Sequence, residues 1–221
     1  MRWPLRRDGP KATGPRREST ETLEPLPPLY RSPTLKVLLA RLEGDAPHRI
    51  LDLHSAVGPN VEFLSRYACR LQIVDLLAAL QSEELQPLLE ADPAAVFRKS
   101  LPQPPEPFDV VLAWDVPNYL SRVQFTGLAT HLATLCRPGA LMLAFISTSK
   151  QISDLPLVFK IVDEQTLLWQ PPTTAVRTSP RFPPADVEKM TPGFLVVHSV
   201  LMRHGVQEYL FARKQDRETP G

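Results

Sequence analysis

Four short apolar runs constrain this chain more than any other feature. They are Arg49-Ile50-Leu51-Asp52-Leu53, Leu71-Gln72-Ile73-Val74-Asp75, Phe108-Asp109-Val110-Val111-Leu112-Ala113-Trp114 and the run from Ala140 to Ile146. Each has the length and aliphatic content of a buried strand, and stretches with helical periodicity separate them. A parallel neighbour is reached only through a crossover of a dozen or more residues, so strands alternating with helices build a mainly parallel sheet. The fold class expected is therefore α/β.

Local signals fill in the rest. Ser32-Pro33 puts an N-cap serine before a proline at the first helical position. Leu35, Leu38, Leu39 and Leu42 follow at helical spacing, and Gly44 stops the helix. Pro59 to Tyr67 and Leu76 to Leu89 read as further helices, and a weak third strand is expected near Ala95 to Arg98. Ser121 with Gln124 three residues on is a capping box, opening a helix that runs to about Cys136 and ends at Arg137-Pro138-Gly139. Val158 to Trp169 reads as an extra strand or hairpin, Pro171 to Pro184 as loop, and Ala185 to Met190 as a short helix. Phe194 to Met202 and Gln207 to Ala212 read as an antiparallel pair, turned around His204-Gly205, on the edge of the sheet.

Composition limits what surrounds this centre. Hydrophobic residues make up 43% and charged residues 22%, enough to bury a core. The 25 prolines against 9 glycines exclude a long coiled coil and point to proline-rich extensions. Residues 1–31 are expected to be a flexible tail, and residues 1–18 carry six basic side chains against two acidic ones, a local charge of +4. The domain is expected over residues 32–213, with 150–190 as an insertion or cover, and 214–221 as a second tail. A net charge of +1 gives no reason to expect a nucleic-acid surface. No apolar run reaches the roughly 18 residues of a membrane span, and none follows the basic amino terminus as a secretory signal would require. Cys69 and Cys136 sit in apolar contexts that read as helical and are expected to stay reduced, which suits the cytoplasm.

Ligands of an open α/β sheet bind beyond the carboxyl ends of the strands, where strand order reverses. The residues to weigh are then His54-Ser55-Ala56-Val57-Gly58-Pro59, Asp75-Leu76 and Asp115-Val116-Pro117-Asn118-Tyr119. A carboxylate closing the second strand can accept both hydroxyls of a ribose, and Asp75 stands there. The alternative for Asp75 is a plain helix N-cap, and for Asp52 a cap on loop amides. Asp115 and Asn118 face a substrate or serve loop structure. Trp114 and Tyr119 read as pocket wall or core, and His54 as a packed residue or a base. His131, His198 and His204 make no metal-ligand cluster with the cysteines, and neither a G-x-S-x-G elbow nor a phosphate loop is present.

Ile50-Leu51-Asp52-Leu53-His54-Ser55-Ala56-Val57-Gly58 resembles the first motif of class I S-adenosylmethionine-dependent methyltransferases, a hydrophobic strand, an acid and then G-x-G-x-G. Asp75 matches that family's ribose-binding acid. Phe108 to Leu120 resembles its fourth motif, and Leu135-Cys136-Arg137-Pro138-Gly139-Ala140-Leu141 the turn before its fifth strand. The resemblance covers roughly Leu35 to Ala212. It implies a Rossmann-like, doubly wound sheet of about seven strands with an antiparallel closing strand, and S-adenosylmethionine as cofactor.

By resemblance, Asp52, His54, Ser55, Ala56, Gly58, Asp75 and Leu76 would hold that cofactor. Asp115 would be the catalytic base if the acceptor must lose a proton, and Trp114, Asn118 and Tyr119 would meet the acceptor. His54 and Ala56 replace the first two glycines of the motif, and Phe97-Arg98-Lys99-Ser100-Leu101-Pro102 lacks the acid many relatives carry after the third strand. These departures support an alternative reading, a catalytically degenerate relative acting as a binding or scaffolding module. A nicotinamide-dependent dehydrogenase would need G-x-G-x-x-G, where this chain has His54, Ala56 and Pro59.

Overall fold

The computed structural model describes residues 29–44, 46–202 and 204–216, so most of the expected amino-terminal tail and the last five residues lie outside the described residues. The chain runs β1 (Leu29–Arg31), α1 (Pro33–Leu39), β2 (His48–Asp52), α2 (Gly58–Leu64), β3 (Cys69–Ile73), α3 (Leu76–Leu80), α4 (Gln86–Ala91) and α5 (Pro93–Ser100). It continues with β4 (Phe108–Trp114), a 3₁₀ turn (Val116–Tyr119), α6 (Arg122–Leu135), β5 (Cys136–Ser147), β6 (Gln151–Ser153), β7 (Val158–Asp163) and β8 (Thr166–Gln170). Last come β9 (Val176–Thr178), α7 (Pro184–Met190), β10 (Phe194–Leu201) and β11 (Val206–Arg213).

A mostly parallel central sheet has the order β10-β11-β5-β4-β2-β3. β3, β2, β4 and β5 run parallel, and β11 lies antiparallel to both β5 and β10. All seven residues of β4 are buried, which is why that strand is apolar at every position but Asp109. One face of the sheet packs Leu51, Val111, Met142 and Phe211 against α3 to α7. The other packs Ile50, Val110, Leu112, Phe145 and Leu210 against α1, α2 and a second, three-stranded sheet ordered β1-β8-β7.

Several expectations change. Six strands rather than about seven make the central sheet among the described residues. The expected third strand is helix α5: Asp92 accepts Ala95 N–H at 3.0 Å as its N-cap and Pro93 occupies its first turn. The helix expected over Leu76 to Leu89 is two helices, because Pro87 has no N–H to donate to the preceding turn and sits instead in the first turn of α4, where none is needed. Cys69 and Cys136 open strands β3 and β5 rather than lying in helices. Leu29–Arg31, assigned to the tail, pair with β8, and Tyr30 stacks on Trp169 with ring centres 4.2 Å apart. Val176–Thr178, inside the stretch expected as loop, form β9 against β6, and Arg137-Pro138-Gly139, expected as the turn before the strand, already belong to β5. Three local signals hold. Ser32 caps α1, the Ser121–Gln124 box is formed in both directions, and Gly205 turns β10 into β11 at φ +71°.

Candidate functional site

From β2 the chain steps outward to β3 and then returns to β4 on the other side of β2. The point where strand order reverses therefore lies at the carboxyl ends of β2 and β4, the place an open α/β sheet offers a ligand. Four sequence-predicted residues meet there. Asp52 Oδ1 accepts the His54 backbone N–H at 3.1 Å and the Trp114 indole N–H at 2.8 Å. Across the reversal point, His54 Nε2 lies 3.0 Å from Asp115 Oδ1, a bond joining residues 61 apart in sequence. Asp115 Oδ2 accepts the Leu157 N–H at 2.9 Å.

Aromatic packing keeps water from this group. Trp114 holds φ +46°, the left-handed region that bulky residues rarely enter, at the end of β4. Its indole is pinned to Asp52 and stacks on Phe159 of β7 at 5.2 Å and 12°. Phe159 also meets the His54 ring edge-on at 5.9 Å. Asn60 of α2 fastens β7 in place: its side-chain amide donates to Phe159 O at 2.9 Å and its Oδ1 accepts Ile161 N–H at 2.8 Å.

Burial sets the electrostatics. It pushes Asp52 from 3.8 up to about 6, against the opposing pull of the His54 and Trp114 hydrogen bonds and the His54 charge. Burial alone would depress His54. The hydrogen bond and charge of Asp115, aided by Asp52 and Asp75, outweigh it and raise the imidazole above its ordinary value.

The neighbouring loop is open. Ser55, Ala56 and Gly58 are exposed while the His54 side chain is turned inward, 8% exposed. A Cβ added to Gly58 would meet nothing within 4 Å. Asp75 is exposed at the end of β3, where Oδ1 caps α3 by accepting Ala78 N–H at 3.1 Å. The remaining predicted residues do not join this group. Leu76 is fully buried in the core. Asn118 clips the sheet, donating to Phe145 O and accepting from Ser147 N–H. Tyr119 Oη contacts Ser153 O and Leu155 O. Sequence reasoning missed Leu157, Phe159 and Asn60. Only the alternation over Val158 to Trp169 hinted at an inward face for Phe159. Among the described residues no group of three or more His, Cys, Asp or Glu side chains is placed to hold a metal ion, and no helix is long and apolar enough to cross a membrane.

No family model matches the chain, and no curated protein matches it. Solved structures do. A protein from Pyrococcus horikoshii OT3 aligns at 15% identity over 82% of this chain and 88% of its own, with a TM-score of 0.51. The 1,6-didemethyltoxoflavin-N1-methyltransferase of Burkholderia thailandensis aligns at 17% identity over 82% and 77%, with a TM-score of 0.48. A SAM-dependent methyltransferase from Methanosarcina mazei aligns at 10% identity over 81% and 98%, with a TM-score of 0.49. The likeness to the P. horikoshii protein is one of fold.

Proposed function

We propose that this chain is an S-adenosylmethionine-dependent methyltransferase whose donor crevice lies between residues 55–58 and Asp75. One observation carries the reading. The side chain at the first glycine position, His54, is drawn inward onto Asp115 and away from the exposed loop, and a Cβ on Gly58 would meet nothing within 4 Å. Those residues fit an adenosyl ligand. The Gly58 face is open, Ala56 adds only a methyl group, and Asp75 keeps Oδ2 for a ribose hydroxyl while Oδ1 caps α3. When bound, the cofactor supplies a methyl group on a sulfonium, whose charge is lost in the transition state, so alignment is the protein's main task.

Roles for the chain's own residues follow from their bonds. Ser55, Ala56 and Gly58 line the donor side, and Asp75 receives the ribose. Leu76 acts only through its backbone, since its side chain belongs to the core. Both oxygens of Asp115 are occupied, by His54 and Leu157, so Asp115 orients the imidazole and the β7 segment rather than taking a proton itself. The proton between His54 Nε2 and Asp115 is shielded by Phe159 and Trp114. Trp114, Asn118 and Tyr119 shape the acceptor side from behind. Reduced Cys69 and Cys136 fit a cytoplasmic setting.

The second reading, a binding module without transfer chemistry, is favoured by one specific feature: Asp52 and Asp115 both bond inward. Incubation with S-adenosylmethionine and a metabolite extract, followed by mass spectrometry for S-adenosylhomocysteine, separates the two. Product that falls at least tenfold with Asp75→Ala supports the methyltransferase. Absence of product while S-adenosylmethionine still binds supports the module.

A further inference from the structure

The amino ends of the strands, opposite the proposed donor crevice, frame an open cavity of about 300 Å³ where the turn after α1 meets β2, β4, β5 and β10. Its floor is apolar, with Leu42 and Val110 fully buried, and Val197 of β10 forms an exposed wall. Its polar lining among the described residues is Arg41, His48, Asp109 and Arg137.

The charges there are arranged, not scattered. Asp109 is buried, and its Oδ2 accepts the Arg49 backbone N–H at 2.6 Å. Its Oδ1 pairs with Nε of Arg137. A guanidinium held through Nε keeps both terminal nitrogens for another acceptor, and no described residue supplies one. Arg41 likewise has no ion pair among the described residues. The lining thus carries two guanidiniums and one carboxylate, and that carboxylate is bonded to the Arg49 amide and paired with Arg137. A planar anion matches the free fork of Arg137 with two parallel hydrogen bonds. At about 30 Å³ per water-sized group, the cavity holds roughly ten heavy atoms. Pockets that join an apolar lining to a few placed polar groups are the usual small-molecule sites.

We infer that this cavity is a second binding site, for a small organic anion with an apolar body such as a medium-chain carboxylate. The inference is independent of the donor crevice and of any methyl transfer.

Calorimetric titration of octanoate into the full chain tests it, with octan-1-ol as the neutral control. Octanoate is expected to bind with a Kd of about 1 mM or below, and octan-1-ol at least tenfold more weakly. Arg137→Gln and Val197→Trp, the latter filling the cavity from its exposed wall, are each expected to weaken octanoate at least tenfold. Arg41→Gln weakens it about threefold. Should Arg137→Gln fail to fold, the exposed Val197 and Arg41 variants decide. No heat with octanoate, equal binding of the alcohol, or octanoate binding unchanged by Val197→Trp would overturn the assignment.

Discussion

Asp115 divides its carboxylate between two parts of the molecule, accepting from His54 Nε2 at 3.0 Å and from the Leu157 N–H at 2.9 Å. One residue therefore ties the loop after β2 to the segment entering β7. Asp115→Ala is expected to cost about 2–4 kcal/mol, since it strips a buried imidazole of its partner and orphans a backbone donor. Unfolding by denaturant checks the magnitude, and hydrogen exchange should show Leu157 losing protection more than the amides of β4.

The same group sets a pH dependence. His54 binds its proton more tightly in the fold, so its contribution is fully present below its unfolded pKa near 6.5 and is lost as pH rises through the raised folded value. Asp52, raised to about 6, acts in the same direction, favouring the protonated fold and losing that contribution between pH 3.8 and about 6. Unfolding free energy should therefore fall as pH rises from 4 to 8. Asp52→Asn keeps an acceptor for Trp114 and His54 without the buried charge. At pH 7.5 it should stabilise the protein by up to about 3 kcal/mol, with little effect near pH 4. A variant no more stable than the parent at pH 7.5 would show that Asp52 is not desolvated as its burial indicates.

Asn60 replaces a strand neighbour for β7, bonding both Phe159 O and Ile161 N–H. Asn60→Ala should cost about 1–3 kcal/mol and raise exchange rates along β7 and β8, leaving β2 and β4 protected. Asn60→Leu, of similar volume, should not restore it.

Glu208, fully buried in β11, accepts the Tyr30 hydroxyl at 2.6 Å and the Thr34 N–H at 3.0 Å. This joins β1 and the start of α1 to the central sheet. Tyr30→Phe should cost about 1.5–3 kcal/mol, the range for a hydrogen bond to a charged group, while Glu208→Gln, which retains an acceptor, should cost less. Thermal unfolding of the two variants compares them directly.

What the sequence made legible was local. β4 announced itself by its aromatic and aliphatic run, interrupted only by Asp109, and α6 by Ser121 and Gln124 at capping distance. Val96 and Phe97 look β-like in isolation, while the Asp92-Pro93 start signal that makes them helical stands just upstream. The positions of Asp52, His54, Asp75 and Asp115 followed from strand ends. Their bonding did not. The His54–Asp115 contact spans 61 residues and Asn60 reaches 99 residues to Phe159 O. No local periodicity encodes such pairings. Residues 29–31 were lost to the tail because a three-residue strand leaves no period to detect.

Calorimetric titration of S-adenosylmethionine measures directly whether the space before residues 55–58 admits an adenosyl ligand held by Asp75. Binding in the micromolar range is expected, weakening about tenfold or more in Asp75→Ala, whose loss of the α3 cap costs only about 1 kcal/mol of stability. No detectable heat with the folded wild-type chain, or an affinity indifferent to Asp75→Ala, would contradict it.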